Sequence, residues 1–361
     1  MKTSTRKRKL AAAVAASGMG GLLVTHLPDV RYLCGFTGSN AALALVGTQS
    51  VLFTDGRYIA QAQSEVDGTR VEIVPGSALK AACEWLVAQG VERCGFDGGH
   101  TTVAALGAMR QAIPAKMRRS LFEAVPPLVA RLREVKDAAE VERMRAAAAL
   151  GCRLFEQVLG DIVSGATEMS VAASLEYKAR LAGVDGMSFD TIVASGERSA
   201  LPHGRATKAK LPRRGFCTLD FGVVLDGYCS DMTRTVHLGR AQKGEREVYE
   251  AVLDAQEAGV AAVRAGVMAG DVDEAARAVL RRAGLDQHFT HSTGHGVGLE
   301  IHEGPRLAAK QTEALRAGMV ITIEPGVYIP GRFGVRIEDT VLVTAKGCEV
   351  LTPSTKAWIE L

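Results

Sequence analysis

Residues 218–237 read TLDFGVVLDGYCSDMTRTVH, a pattern that predicts a β-hairpin. The pair Asp226-Gly227 lies between two apolar runs, and it suits a two-residue turn in which both central residues need positive φ. Such a turn places Asp220 opposite Thr233 and Asp231 one diagonal step away. Because diagonal neighbours lie about 7–8 Å apart on one face of an antiparallel pair, the hairpin can direct both carboxylates toward one point.

The two aspartates of this hairpin predict a cation site. Asp220 interrupts an otherwise apolar strand, Thr218–Phe221, where an unpaired carboxylate would be costly. Two carboxylates held close together repel each other, and a shared proton or a shared cation resolves the repulsion. The alternative is that both aspartates cap turns on a solvated strand, which is the commoner use of this residue. The apolar neighbours of Asp220 disfavour that alternative.

A second predicted hairpin, residues 320–343, repeats the pattern with two glutamates. Glu324 follows the apolar run that ends at Ile323, so it is also predicted to be a buried carboxylate that needs a cation. The period of two along a strand puts Arg336 and Glu338 together on one face. An ion pair between them is the simple structural explanation of that pattern, and it is compatible with a functional role.

Three of the chain's eight histidines lie between the hairpins, in the glycine-rich segment HSTGHGVGLEIHE at residues 291–303. A lone histidine is usually a packed or surface residue, but three beside buried acids favour a site. The predicted metal ligands are four carboxylates and one imidazole: Asp220, Asp231, His295, Glu324 and Glu338. This set suits Mn²⁺, Co²⁺ or Zn²⁺, and a pair of such metals about 3.5–4 Å apart lowers the pKa of bound water. The candidates for charge stabilisation and proton transfer are His203, His291, His302 and Arg336.

The chain as a whole divides into two predicted domains, residues 1–130 and 137–361. Short apolar runs alternate with helical patterns before Pro126, as in a small α/β domain. Asp137 and Glu140 form a capping-box sequence that predicts the start of a long helix. The second domain echoes itself at an offset of roughly one hundred residues, which predicts two similar halves that face each other across a cleft. Helix-rich sequences also align by chance, so the echo is weak evidence by itself.

Composition restricts the class of protein. The chain has 361 residues, 47% of them apolar and 23% charged, which is typical of a globular protein of two domains. Its 43 basic and 40 acidic residues balance too closely to favour a nucleic acid or a membrane as partner. The one basic cluster, Lys2–Lys9, is expected to be solvated. No run reaches the roughly 20 apolar residues that cross a bilayer.

The seven cysteines are scattered, and none is in C-x-x-C spacing, which argues against a disulfide framework and against a thiolate metal site. We therefore expect a cytoplasmic protein. A competing interpretation takes the basic residues before Leu10 and the apolar stretch Leu10–Val24 as a secretory signal. Because alanine and glycine dominate that stretch, an amphipathic helix that leads into a first strand is the stronger prediction.

Six ordered blocks of the second domain resemble the pita-bread metallopeptidases of the aminopeptidase P and prolidase branch. The blocks are Pro202-His203-Gly204, Leu219–Gly222, Ser230–Thr235, Gly294–Gly298, Glu324-Pro325-Gly326 and Gly334–Asp339. The first domain resembles the creatinase-like N-terminal domain of the same branch at Tyr32–Asn40 and Thr54–Tyr58. The likeness spans nearly the whole chain, and the ordered set is far more specific than any one block.

The resemblance implies an α/β (α+β) protein with a creatinase-like N-terminal domain and a pita-bread catalytic domain of pseudo-two-fold halves. It implies two divalent metals, commonly Mn²⁺, on the five ligands named above, with Glu324 doubling as proton carrier. It also implies that His203 and His302 support the intermediate or the departing amine, and that His291 lines the proline side of the cleft. The implied reaction is hydrolysis of the Xaa-Pro bond of a dipeptide or short peptide, by an enzyme that is usually a dimer.

Two versions of this activity stay open, an Xaa-Pro dipeptidase and an aminopeptidase P that accepts longer peptides. A dipeptidase must bind the free carboxylate of proline, for which Arg332, Arg336 or a residue of a partner subunit is the candidate. Creatine amidinohydrolases share the fold without the metal pair, and methionine aminopeptidases generally lack the N-terminal domain, so both fit less well. A binding protein on the same scaffold would be expected to lose ligands, and none of the five is missing.

Overall fold

The computed structural model describes residues 3–361 and divides into two compact units. One unit ends at Arg133, and the other spans Glu134–Leu361. Both units mix helices and strands, and the predicted α/β class is confirmed. No helix among the described residues is long and apolar enough to cross a membrane.

The first unit is built on one mixed sheet. Its strands are β1 (Gly21–Val24), β2 (Ala42–Val46), β3 (Gln49–Asp55), β4 (Arg70–Val74), β5 (Cys94–Asp97) and β6 (Phe122–Val125). Its helices are α1 (Thr3–Ala16), α2 (Leu27–Cys34), α3 (Ile59–Glu65), α4 (Ala78–Ala88), α5 (Val103–Gln111) and α6 (Leu128–Arg133). The strand order is β4-β3-β2-β1-β5-β6, with β1 parallel to β5 and antiparallel to β2. The predicted alternation of apolar runs and helices is therefore confirmed.

The basic segment at the start of the chain is not fully solvated, which corrects the prediction. Lys7 is buried on α1, and its Nζ donates to Ser50 Oγ (3.2 Å) and Thr69 Oγ1 (3.1 Å). The same Nζ donates to the carbonyl of Gly68. Burial lowers the pKa of Lys7. The prediction is wrong because the long stem of a lysine can cover apolar surface while its amine reaches polar partners. Lys2 lies outside the described residues.

The apolar stretch after this segment forms the second half of α1 and then β1, as the helix interpretation predicts. Leu10 and Val14 are 0% and 5% exposed. Burying an aliphatic side chain of this size contributes about 1.5–3 kcal/mol. The stretch is therefore part of the folded core of the first unit.

The second unit begins with the helix predicted from its capping box. Asp137 Oδ1 accepts the backbone N–H of Glu140 (3.1 Å), and Glu140 Oε2 accepts that of Asp137 (2.9 Å). The helices of the unit are α7 (Ala138–Val158), α8 (Glu168–Leu181), α9 (Glu245–Ala262) and α10 (Ala269–Arg282). Its strands are β7 (Gly186–Met187), β8 (Ile192–Ser195), β9 (Gly215–Phe221), β10 (Val223–Leu225), β11 (Tyr228–Cys229), β12 (Met232–Leu238), β13 (Gly294–Gly296), β14 (Glu303–Leu307), β15 (Val320–Ile323), β16 (Gly326–Ile329), β17 (Phe333–Arg336), β18 (Asp339–Val343) and β19 (Cys348–Val350).

The two halves of this unit repeat each other, as the sequence echo predicts. In the first half α7 and α8 precede a hairpin of β9 and β12, and in the second half α9 and α10 precede a hairpin of β15 and β18. In both halves a glycine lies between the two helices, and its backbone N–H donates to the carbonyl of a leucine further along the chain. Gly165 N–H donates to Leu211 O (3.0 Å), and Gly266 N–H donates to Leu315 O (2.8 Å).

The first hairpin has the predicted register. β9 and β12 pair with Asp220 opposite Thr233. The turn residues Asp226 and Gly227 have φ of 49° and 78°, as a two-residue turn of this type requires. In both hairpins the strands are interrupted where the acidic residues lie. The residues in these short breaks are Asp231, Glu324 and Glu338.

Candidate metal centre

A cavity of about 870 Å³ opens in the second unit. Its lining includes every residue that the sequence predicts for the site: His203, Asp220, Asp231, His291, His295, His302, Glu324, Arg336 and Glu338. The two hairpins supply the acidic side chains and the arginine, and the loops and the short strand β13 supply the histidines. Residues from both halves therefore meet in one cavity.

Asp231, His295 and Glu338 form the innermost group, with one ligand atom of each within 4.8 Å of the others. His295 Nε2 lies 3.5 Å from Asp231 Oδ2 and 3.5 Å from Glu324 Oε1. Its Nδ1–H donates to the carbonyl of Gly296 (3.0 Å), so Nε2 is the unprotonated nitrogen. Burial lowers the pKa of His295 to about 4. The Nε2 lone pair of the neutral ring is thus directed into the space between the carboxylates. A metal-ligating histidine needs this tautomer and orientation.

The four carboxylates predicted as ligands carry more negative charge than the one arginine among them compensates. Burial raises the pKa of Asp231 and of Glu338 well above the usual values, and repulsion from neighbouring carboxylates raises them further. Burial also raises the pKa of Glu324 to about 8, although Arg336 opposes the shift. Asp220 Oδ1 and Glu338 Oε1 are buried and have no hydrogen-bond partner within residues 3–361. Buried carboxylate oxygens without partners fit divalent cations by their chemistry.

Arg336 pairs with Asp220, and not with Glu338 as in the simple structural explanation of the alternation. Arg336 Nη2 donates to Asp220 Oδ2. Glu338 Oε2 instead accepts from Thr233 Oγ1 (2.7 Å), which also accepts from Arg336 Nε (3.2 Å). That explanation does not hold, because alternation along one strand does not show which residues of the other hairpin lie within reach. The guanidinium therefore links the two hairpins.

Tyr328 connects this network to His291, which lines the cavity. Arg336 Nη1 donates to Tyr328 Oη (2.7 Å), and the Tyr328 hydroxyl donates to His291 Nε2 (2.8 Å). His291 Nδ1–H donates to the carbonyl of Ser292 (2.9 Å), so both ring nitrogens are engaged. Burial, with a smaller effect of Arg336, lowers the pKa of His291 to about 4. His291 is therefore a neutral and oriented ring.

Tyr328 and Thr233 belong to the site, although the sequence analysis does not assign them to it. In the second hairpin Tyr328 faces Gly334, one diagonal step from Arg336. In the first hairpin Thr233 faces Asp220. Hairpin register is thus the sequence signal that identifies both residues.

His302 and His203 border the space beside the carboxylates. The His302 ring lies edge-on to the His295 ring, with 4.4 Å between the centroids. Burial lowers the pKa of His302, and nearby His203 lowers it further. Arg336 Nη1 donates to the carbonyl of Pro202 (2.9 Å), directly before His203. Both rings are thus placed where a substrate carbonyl or amine can be held.

Of the two arginines expected for carboxylate binding, Arg336 lines the cavity and Arg332 does not. Arg332 lies in the exposed turn between β16 and β17 and does not line the cavity, so it is not suited to that role. Arg306 on β14 lines the cavity and faces His295 across the pairing of β13 with β14. Arg205 also lines the cavity, but it pairs with Asp190 (2.9 Å). Arg306 forms no ion pair with the described part of the chain.

Two families match this chain. Metallopeptidase family M24 matches residues 142–345, and the Creatinase/Prolidase N-terminal domain matches residues 6–135. The chain is 32% identical over 354 residues to an Xaa-Pro dipeptidase of Pyrococcus horikoshii, with 98% of both chains covered. Together the two matches span most of both units.

Two solved structures are similar to the whole chain. An Xaa-Pro dipeptidase from Bacillus anthracis superimposes with a TM-score of 0.96 at 37% identity, and all of both chains is covered. An X-Pro aminopeptidase from Thermotoga maritima superimposes with a TM-score of 0.88 at 34% identity, over 95% of this chain and 98% of that one. The fold is thus shared with peptidases of both substrate lengths.

Proposed function

Because this chain belongs to metallopeptidase family M24 and carries a Creatinase/Prolidase N-terminal domain, we propose that it hydrolyses the Xaa-Pro bond of dipeptides. The observation that carries the proposal is the group of buried carboxylates around His295, in which Asp220 Oδ1 and Glu338 Oε1 have no partner in residues 3–361. Relatives described as Xaa-Pro dipeptidases support the choice of substrate.

The proposed cofactor is a pair of divalent metal ions, with Mn²⁺ as the first candidate and Co²⁺ or Zn²⁺ as alternatives. Oxygen donors with one imidazole suit these ions. The residues that would hold them are Asp220, Asp231, His295, Glu324 and Glu338. When bound, such a pair supplies Lewis-acid polarisation of the peptide carbonyl and an activated water.

Proton transfer, charge stabilisation and contact with the substrate are assigned to individual residues of the cavity. Glu324 lies beside His295 in a partly buried position, and we assign it the transfer of a proton toward the departing amine. His302 and His203 would stabilise the charge of the intermediate or hold the amine. His291, which is kept neutral, would form the proline side of the cavity.

Arg336 has a different role in this scheme from the one predicted. Its donors end on Asp220, Tyr328, Thr233 and Pro202. Because these bonds occupy the guanidinium, we assign it to orienting Asp220 and the loop before His203. Binding of the free proline carboxylate is assigned to Arg306, which lines the same cavity and faces His295 across the pairing of β13 with β14.

Hydrolysis of Ala-Pro and Ala-Pro-Ala with added Mn²⁺ tests the substrate length. We expect faster turnover of the dipeptide, and we expect Arg306→Ala to reduce that preference about 10-fold or more, since a charge-assisted hydrogen bond contributes about 1.5–3 kcal/mol. Arg332→Ala is the matched control and should keep the preference. Equal or faster cleavage of the tripeptide by the wild type would identify an aminopeptidase P instead. No bound metal and no activity after Mn²⁺ addition would favour a binding protein.

We also propose that the protein is a cytoplasmic homodimer with domains at residues 1–130 and 137–361. No disulfide joins any of the seven cysteines within residues 3–361, as expected in a reducing compartment. Light scattering coupled to gel filtration measures the oligomeric state, and limited proteolysis locates the domain boundary. A monomer at micromolar concentration would refute the dimer.

A further inference from the structure

Each half of the second unit has a carboxylate and an arginine that lie outside the cavity lining but hold a segment with a cavity histidine. In the second half these residues are Asp273 and Arg277 on α10, which we call the second clamp. In the first half they are Glu168 on α8 and Arg198 after β8, which we call the first clamp. Asp273 and Glu168 are 1% and 0% exposed, so both carboxylates are inside the protein.

The second clamp attaches the chain between Phe289 and Thr293 to α10. Asp273 Oδ1 accepts the backbone N–H (3.2 Å) and the hydroxyl (2.8 Å) of Thr293. Asp273 Oδ2 accepts from Arg277 Nε (2.8 Å). Arg277 also donates to the carbonyls of Phe289 (3.1 Å) and His291, and its guanidinium stacks 4.1 Å from the centroid of the Phe289 ring.

The segment held by the second clamp contacts the metal centre on its other side. Thr293 O accepts the backbone N–H of Glu324 (2.8 Å). His291 lines the cavity, and its Nε2 accepts from the Tyr328 hydroxyl (2.8 Å). Movement of the segment would therefore displace His291 and Glu324 together. A misplacement of about 1 Å can lower a rate about 100-fold.

The first clamp holds the loop that carries His203 in the same manner. Glu168 Oε1 accepts the N–H (2.9 Å) and the hydroxyl (3.1 Å) of Ser195. Glu168 Oε2 accepts the N–H (3.1 Å) and the hydroxyl (2.8 Å) of Thr207. Arg198 Nε donates to Glu168 Oε2 (3.0 Å). His203 lies between the two residues that Glu168 binds.

A buried ion pair is weak evidence for stability, because desolvation offsets much of the attraction. Both clamps nevertheless bind a hydroxyl residue through its N–H and its O–H, at the end of β8 and directly before β13. We propose that the clamps are positioning devices for the reaction proposed above, on which this inference rests. The second clamp positions His291 and Glu324, and the first clamp positions His203.

Arg277→Ala tests the second clamp, with Arg281→Ala as the matched control. Arg281 lies on the same helix and pairs with the exposed Glu274 (2.8 Å). We expect Arg277→Ala to lower kcat for an Xaa-Pro dipeptide about 10–100-fold, the usual effect of losing a residue that orients a site. KM and bound Mn²⁺ should change less than kcat, and added guanidinium should restore part of the loss. Arg281→Ala should retain wild-type kcat.

Nitrogen-15 NMR of the histidine rings in the metal-free protein gives a readout that needs no activity. We expect the His291 ring signals to shift in Arg277→Ala and to stay unchanged in Arg281→Ala. If the wild type cleaves no Xaa-Pro peptide but the His291 signals still shift, the proposed function fails and the clamp stands.

An unchanged kcat together with unchanged His291 signals in Arg277→Ala would overturn the clamp. If Arg277→Ala does not fold, Arg277→Lys replaces it, because lysine keeps the charge but cannot reproduce the forked contacts of arginine. The same outcomes then decide the question.

Discussion

Glu338 and Asp339 are adjacent acidic residues, and both are buried. Their carboxylates differ in how many hydrogen-bond and ion-pair partners they have. Asp339 lies in a complete network: it accepts from Arg234 Nη2 (2.8 Å), Lys356 Nζ (2.8 Å) and Gln256 Nε2 (3.0 Å). Two cations therefore compensate this one carboxylate. The network joins β12, α9 and the chain after β19.

Glu338 points into the cavity and accepts from the Thr233 hydroxyl, while its Oε1 lacks any partner in the described chain. Its pKa is raised by burial and by repulsion from Glu324 and Asp220. The comparison teaches that burial of a carboxylate does not by itself identify a metal site. A buried carboxylate that has no cationic side chain beside it does indicate such a site, because its negative charge must be compensated by something other than the protein.

The largest expected effect comes from removing charge on the unsatisfied side. Asp231→Asn should abolish nearly all hydrolysis of an Xaa-Pro dipeptide in added Mn²⁺, a loss of about 10³-fold or more, or about 4 kcal/mol in the barrier. Bound Mn²⁺, measured by elemental analysis, should fall with it. Retained activity with normal metal content would show that neither metal binding nor hydrolysis needs the charge of Asp231.

Asp339→Asn tests the satisfied side and should act on stability. Removing one partner of a buried ion pair leaves the cations Arg234 and Lys356 undercompensated, at a cost of about 3–5 kcal/mol. Urea unfolding of the metal-free protein measures the change. Asp231→Asn is the control and should be no less stable than wild type under the same conditions, because it relieves repulsion. Equal stability of the two variants would contradict the contrast.

Metal removal should make stability depend on pH in a defined direction. The folded pKa of Glu324 is raised from 4.5 to about 8, so the folded state binds more protons and this contribution is lost as pH rises through that window. Neutral His291 and His295, whose pKa values are lowered from 6.5 to about 4, act in the opposite direction below pH 6.5. The chelated protein should therefore lose stability between pH 6.5 and about 8.

Thermal unfolding at several pH values checks this expectation. The transition temperature of chelated protein should fall across that window, and Mn²⁺ should reduce the fall because it binds the ionised carboxylates. A transition temperature that rises with pH in the absence of metal would show that the carboxylates are compensated within the protein.

The smallest expected effect comes from removing the Thr233 hydroxyl, which donates to Glu338 Oε2 (2.7 Å). Thr233→Val keeps the shape but removes the donor to Glu338 and the acceptor for Arg336. We expect kcat/KM to fall about 10-fold, since residues that orient metal ligands contribute on that scale. Thr218→Val on β9 is a nearby control, because within the described chain the buried Thr218 hydroxyl contacts only that of Thr235 (3.1 Å), and a loss as large in that variant would assign the effect to packing.

Local features of the sequence predicted much of this molecule correctly. The Asp226-Gly227 turn determines the register of the first hairpin, and the pair Asp137 and Glu140 caps α7. Both rules act over a few neighbouring residues, so distant packing hardly alters them. The nine predicted residues share one cavity for a related reason, since each lies on one of the two hairpins or in a segment beside them. Their individual roles stay predictions.

The order of residues alone was enough for the hairpins, the α/β class and the set of residues that line the cavity, because turn geometry, alternation and capping depend on neighbours along the chain. Only the tertiary structure decided the partners of those residues. Arg336 reaches Asp220 across 116 positions of the chain, and Lys7 finds Ser50 in another element of the first unit. Such pairings depend on how separate elements pack against each other. The order of residues within one element does not show which residues of another element will lie beside it.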